Sequence, residues 1–193
     1  MPRPRSRISS RPTNSLADPA AAGWRLRRAS PADAAALSLV AGASFLETFA
    51  GVLEGADILA HLARKSGADA FARWADDPAG AVTIAEHPVG AAPLGYTVLT
   101  RPDLPIEPGP ADIELLRIYT LSRMHGSGLG PALMERAAED ACRIGARRLV
   151  LGVYGGNARA RAFYERSGFR LAGTRRFLVG ATQHDDVVYA REL

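Results

Sequence analysis

The sharpest change of pattern along the chain falls between two apolar stretches. Ile113 to Leu121 is an apolar run of the kind a buried strand shows, and Pro131 to Ile144 spaces its apolar residues as an amphipathic helix does. Upstream, Gly23 to Ala29 reads as a first strand, and Ser30, Pro31 and Asp33 mark a helix start with a cap, an N1 proline and an early acid. Helical spacing then continues, with interruptions, to about Trp74. Ala81 to Glu86 and Leu94 to Thr100 read as strands joined by a turn holding Pro88, Gly90 and Pro93, and Arg101 to Gly109 as an exposed, proline-rich loop. Downstream, Arg147 to Tyr154 is a strand. Asn157 and Gly168 then cap the two ends of a helix of about three turns, on which Ala160, Phe163 and Tyr164 share a face. Phe169 to Val179 and Val187 to Glu192 pair as a terminal hairpin across Gly180 to Asp186. The order is strand, helices, three strands, helix, strand, helix, two strands, with no internal repeat.

Between the two central stretches lies His125-Gly126-Ser127-Gly128-Leu129-Gly130. A strand, a glycine turn and a helix N-terminus in that order make an anion site, because the first N–H groups of a helix lack intrahelical partners and carry the positive end of its dipole. Glycine permits positive φ and removes the Cβ that would hold a pyrophosphate off the amides. Spacing disfavours two familiar loops. A P-loop requires Gly-Lys-Ser/Thr, but Pro131 and Ala132 follow Gly130; a dinucleotide fingerprint requires glycine where Pro131 stands. Taken alone, the run also suits a plain turn between strand and helix.

His125 to Gly130 resembles the pyrophosphate loop Arg/Gln-x-x-Gly-x-Gly/Ala of the acyl-CoA N-acyltransferases of the GNAT superfamily, with His125 in place of the usual Arg or Gln. Asn157 to Phe169 is similar throughout to that superfamily's Asn-x-x-Ala-x-x-Phe-Tyr-x-x-x-Gly-Phe pattern. The resemblance implies an α/β (α+β) GNAT fold, a single mixed, mostly antiparallel central sheet of about six to seven strands flanked by helices. It implies acetyl-CoA as cosubstrate, without metal, bound by Leu121, His125, Gly126, Ser127, Gly128, Leu129, Gly130, Asn157 and Tyr164. Tyr164 would lie near the CoA sulfur and protonate the leaving thiolate; by itself it reads as a core tyrosine. The oxyanion donor would be a backbone N–H around Tyr119 to Leu121. Phe45-Leu46-Glu47-Thr48-Phe49, Glu114-Leu115-x-Arg117-Ile118-Tyr119, Leu151-Gly152-Val153, and Phe177-x-x-Gly180 followed by Asp185 resemble the PaiA type of bacterial polyamine N-acetyltransferase. That implies spermidine and spermine as acceptors.

The chemistry needs a proton acceptor, since an alkyl amine of pKa about 10.4 is protonated at neutral pH. Glu114 is the first candidate, directly or through water, and Asp112 the alternative; either acid alone reads as a solvated strand-end carboxylate. No acyl-enzyme is required. The amine site is expected across the central strand, lined by Phe45 to Phe49 and the terminal hairpin. Glu47, Asp185 and Asp186 are available to hold the distal charges of a polycation, although Asp185 and Asp186, like Gln183 and His184, read slightly better as turn residues.

Length and composition suit one soluble domain: 193 residues, 47% apolar and 23% charged. Charges break the apolar windows, so no transmembrane helix is expected. Cys142 is the sole cysteine and reads as a small buried residue; His61, His87, His125 and His184 lack metal-ligand spacing. The net charge of +4 is concentrated in residues 1–23, where four arginines face one aspartate. This tail reads as disordered, with residues 24–193 as the domain. It has no apolar signal core, and its prolines spoil the helix of a transit peptide. Nucleic-acid binding is the lesser reading, as no aromatics are interleaved. The expected protein is a cytoplasmic enzyme with an amine and acetyl-CoA as partners, no membrane partner, and a homodimer left open. Acetylation of a protein N-terminus or lysine, and a non-catalytic acyl-CoA-binding regulator, are the alternatives.

Overall fold

Ser30 shows how local chemistry starts the helical layer: its N–H and hydroxyl both donate to the Asp33 carboxylate, at 2.8 and 3.1 Å. A 3-10 turn over Pro31–Asp33 leads into α1 (Ala34–Phe49), followed by α2 (Gly55–Lys65) and α3 (Ala68–Asp76). The strands are β1 (Arg25–Arg28), β2 (Ala81–Glu86), β3 (Pro93–Thr100), β4 (Asp112–Thr120), β5 (Arg148–Tyr154), β6 (Arg170–Val179) and β7 (Thr182–Glu192), with α4 (Leu129–Ile144) and α5 (Ala158–Arg166) on either side of β5 in the chain. This computed structural model describes residues 23–104, 109–179 and 182–193, with the backbone alone between 175 and 185. The N-terminal tail lies outside the described residues apart from Gly23.

The seven strands form one sheet in the order β1-β2-β3-β4-β5-β7-β6. Every pairing is antiparallel except β4 with β5, as the resemblance implied. Side chains alternate across a strand, so β4 feeds two cores. Ile113 and Leu115 pack with Met134, Ala137 and Ala141 of α4, Tyr164 of α5, and Leu149, Leu151 and Val153 of β5. Leu116 and Tyr119 pack on the opposite face with Leu37, Val40 and Ala41 of α1 and Phe71 of α3.

The parallel pairing is short. Only Asp112, Ile113 and Glu114 meet Arg148, Leu149 and Val150, after which β4 and β5 separate. The β3–β4 register slips between Val98 and Leu99, leaving Leu116 as an extra residue on β4 at the point of separation. A bulge of this kind bends and twists its strand away from a neighbour. The result is a wedge-shaped gap through the middle of the sheet.

Four expectations are corrected. The terminal hairpin is tighter than the sequence suggested: β7 begins at Thr182, so Gln183, His184, Asp185 and Asp186 belong to a strand rather than a turn. β7 lies between β5 and β6; Thr182 to Asp185 pair with β6 alone, and from Asp186 to Ala190 the strand is paired on both sides. The helix after the glycine loop starts at Leu129, not Pro131. Cys142 is exposed, one position past Ala141 on the buried face of α4. Finally, Pro31–Phe49 is a helical segment of 19 residues apolar enough by composition to cross a membrane. One side of it, including Leu37, Val40 and Phe45, is packed in the core.

Candidate active site

The glycine loop lies where β4 gives way to α4. Gly126 and Gly128 have φ of 84° and 83°, a left-handed backbone that side chains disfavour. A Cβ built on either would meet no atom within 4 Å, so open space faces both. Gly130 serves differently: it lies in the first turn of α4, and a Cβ there would touch the Phe163 ring at 3.7 Å, so it lets α4 approach α5. The N–H groups of Leu129 and Gly130 begin the helix. Ser127 is exposed, and its hydroxyl donates to the Met124 carbonyl at 2.7 Å. This open, left-handed cradle at a helix N-terminus fits a pyrophosphate.

His125 lies at the entrance to the cradle. Its pKa is lowered, first by partial loss of solvent and then by Arg159, with Glu47 acting in the other direction. A neutral imidazole is a poor phosphate partner. Arg159, whose charge acts on His125, is a cation near the loop that sequence reading missed. The available signal was a cation in the first turn of α5, where the helix dipole disfavours one. Leu121 has both backbone groups engaged: its N–H donates to Leu94 at 2.9 Å and its carbonyl accepts from Met124 at 2.9 Å. Its side chain packs between two apolar clusters.

On α5, Asn157 is the expected cap, its Oδ1 accepting from the Ala160 N–H at 3.0 Å. Ala160 and Phe163 pack beside Tyr164, which is 9% exposed. Burial raises the Tyr164 pKa above the ordinary phenol value, and Tyr119 raises it further. Tyr164 thus stays protonated through the neutral range. The two tyrosines belong to cores on opposite faces of the sheet, yet Tyr119 still acts on Tyr164.

Asp186 lies on β7, on the far side of β5 from β4. It is 5% exposed and stands opposite Tyr154 in the ladder. Val187 and Tyr189 face the Tyr164 core, so alternation puts Asp186 on the other face with Val188 and Ala190. There its charge raises the Tyr119 pKa, which burial has already raised.

Glu114 and Asp112 are not solvated strand ends. Glu114 is 3% exposed at the last paired rung and accepts the Asp103 N–H at 2.8 Å. Asp112 is fastened to Arg148 through Oδ1–Nε at 2.9 Å and Oδ2–Nη2 at 2.5 Å, and it caps the Gly109 N–H at 2.8 Å. The Arg148 guanidinium is the main cause of its lowered pKa. Asp112 therefore closes the bottom of the wedge, and Glu114 is the acid nearer the gap.

The α1 wall holds Phe45 and Phe49 with ring centroids 4.4 Å apart, and His61 stacks on Phe45 at 4.4 Å and 7°. Burial, with Arg117, Lys65 and Arg64 nearby, lowers the His61 pKa to about 4. Arg117 donates to Ser66 Oγ at 2.8 Å and to the Lys65 carbonyl, and lies 5.0 Å from the Trp74 ring centroid. Glu47 turns toward Ser122, accepting its N–H at 2.7 Å and its hydroxyl at 3.1 Å. The side chains of Gln183, His184 and Asp185 lie outside the described residues. Among the described residues no cluster of three or more His, Cys, Asp or Glu is gathered for a metal.

Residues 53–169 match the acetyltransferase (GNAT) family. The chain is similar to an uncharacterized N-acetyltransferase of Mycobacterium tuberculosis, 39% identical over 123 residues that make up 64% of this chain and 74% of that protein. The PaiA N-acetyltransferase of Thermoplasma acidophilum in complex with coenzyme A superposes with a TM-score of 0.72 at 20% identity, covering 88% of this chain and 99% of that one. The Salmonella typhimurium protein YncA with its cofactor acetyl-CoA gives 0.67 at 20% identity, covering 88% and 94%. At such identities the two structures speak to the fold.

Two outcomes follow from this geometry. His61 has a folded pKa below its unfolded value, so its contribution to stability is intact above pH about 6.5 and is lost as pH falls toward about 4. Thermal unfolding midpoints should drop less steeply over that interval in His61→Phe than in the parent; parallel curves would contradict the assignment. Gly128→Val should weaken CoA binding at least about tenfold in titration calorimetry, with the fold checked by circular dichroism. Parent-like affinity in a folded variant would remove the loop from the CoA site.

Proposed function

The chain belongs to the GNAT family of acetyltransferases, and from this we propose which of its residues carry the transfer and which amine they accept. The protein is an N-acetyltransferase that uses acetyl-CoA. Bound acetyl-CoA supplies the acetyl group as a thioester and departs as the thiol. The glycine loop with Asn157 holds this cosubstrate, and the gap between β4 and β5 admits its thioester end.

One observation carries the reading: Tyr164 and Asp186 lie on opposite faces of the sheet, and both interact electrostatically with Tyr119 of β4, beyond the last β4–β5 pair. Tyr164, kept protonated by burial, gives its proton to the departing thiolate. Asp186 receives the ammonium group of the acceptor on the other side. Glu114, at the closed end of that face, takes the amine proton through water. The Leu121 N–H is already spent on Leu94, so the alternation of an antiparallel ladder turns the N–H groups of Ile118 and Thr120 into the gap. These two are the oxyanion donors of this reading.

The acceptor is a primary amine, and a small polyamine of the spermidine type is the first choice. The PaiA resemblance and the buried Asp186 support it. A second reading, the α-amino group of an amino acid, peptide or protein, is favoured by the cations around His61, which repel a long polycation and attract a carboxylate. A non-catalytic CoA-binding regulator would have no use for a protonated tyrosine at the gap. The reading includes a cytoplasmic location.

Release of CoA thiol should be measured over spermidine, spermine, simple alkyl amines, amino acids and a short peptide. Saturable turnover with polyamines is expected. Turnover confined to amino acids or peptide would replace the polyamine by the second reading, and silence from a protein that binds CoA would favour the regulator. With the active acceptor, Tyr164→Phe should lower kcat about a hundredfold with little change in the KM for acetyl-CoA. An unchanged kcat would return Tyr164 to the core.

A further inference from the structure

Glu47 is a poor fit to its own helix. It lies in the last turn of α1, where the negative end of the helix dipole opposes a carboxylate, and no basic residue accompanies it there. Its compensation comes from 75 residues away: Oε2 accepts the Ser122 N–H at 2.7 Å and Oε1 the Ser122 hydroxyl at 3.1 Å. Ser122 opens the turn between the end of β4 and the glycine loop, so its N–H would otherwise lack a partner.

Leu121 anchors the start of the glycine-loop segment through its N–H to Leu94, and from Ser122 to Gly128 the backbone bonds are mostly within the segment. Met124 donates to Leu121, His125 to Ser122, and Ser127 to Met124. These bonds shape the loop but do not tie it to the body of the protein. Leu121 and Met124 pack against the core, and among the described residues two side chains hydrogen-bond to the segment from outside: Glu47, and Trp24, whose Nε1 lies 3.5 Å from the Ser127 carbonyl, at the limit of a hydrogen bond. The carboxylate bonds are charge-assisted and the stronger of the two.

We propose that Glu47 is a positioning residue that fixes the pyrophosphate loop against the Phe45–Phe49 wall, and so sets the affinity for CoA. It does not contact the amine. This rests on the glycine loop as the CoA site. Glu47 thereby joins the last turn of α1, which lines the acceptor side, to the segment that cradles the cosubstrate.

The test compares Glu47→Ala, Glu47→Gln and Ser122→Ala in the full chain by calorimetric titration with CoA, alongside the KM of each substrate. Glu47→Ala should weaken CoA about tenfold, as expected on losing a charge-assisted bond. Glu47→Gln, whose amide oxygen still accepts the Ser122 N–H, should recover most of the affinity, and Ser122→Ala should lose only a small part. The KM of the amine should move less than that of acetyl-CoA. Unchanged CoA affinity in a folded Glu47→Ala would overturn the proposal. So would a loss confined to the amine KM and equal in Glu47→Gln, which would make Glu47 an acceptor-binding acid. Should Glu47→Ala fail to fold, Glu47→Gln with parent amine KM and near-parent CoA affinity supports the proposal, and Glu47→Gln with a raised amine KM overturns it. Weak CoA binding by the parent itself, or parent-like binding by Gly128→Val, would instead sink the loop assignment.

Discussion

The proposed site depends on a ladder that stops. β4 and β5 share three register pairs and then diverge, although hydrogen bonding within a sheet rewards every additional pair. The divergence is stable because each strand is held by something else. β4 keeps its ladder with β3, β5 keeps its ladder with β7, and a core on each face fills the space against its own half. The extra residue at Leu116 marks where the bend begins. Backbone groups along the parted edges face one another across a gap, and an edge of that kind seeks hydrogen-bonding partners. An extended amide-bearing molecule would supply them, which is what the proposed site requires of acetyl-CoA.

The closed end of the wedge is secured by charge. Asp112 and Arg148 join the first residues of β4 and β5 through two parallel bonds, a geometry that specifies orientation as well as energy. Two rungs higher, Glu114 ties β4 to the chain that follows β3. Higher still, Arg117 leaves the strand to bond the end of α2 and to lie over Trp74. Successive polar side chains of one strand thus fasten it to three different parts of the fold, which explains how a partly unpaired strand keeps its shape.

Burial also sorts protonation states. Tyr164 and Tyr119 are held neutral by desolvation, and His61 is held neutral by desolvation and neighbouring cations. A neutral acid therefore lies on one face of the sheet, and Asp186 on the other. The contrast comes from the two-sidedness of a strand, since odd and even positions of β7 face different layers.

The element order, the glycine loop and the Asn157 cap were legible in the sequence because each depends on residues close along the chain: a helix needs its spacing and its caps, and a left-handed turn needs glycine. Tyr164 was legible for the same reason, as a position on one helical face. Asp186, Arg159 and the true partner of Glu47 were not. Asp186 reads as a turn residue until β5 and β6 flank its strand, Arg159 matters only because α5 comes near the loop, and Glu47 finds Ser122 across the whole first half of the fold. Local propensity and periodicity determined which elements form and which residues cap them. Only the tertiary structure decided where β4 leaves β5 and which charges meet there, because strand separation and burial arise from contacts between segments far apart in the chain, and no local pattern encodes those distances.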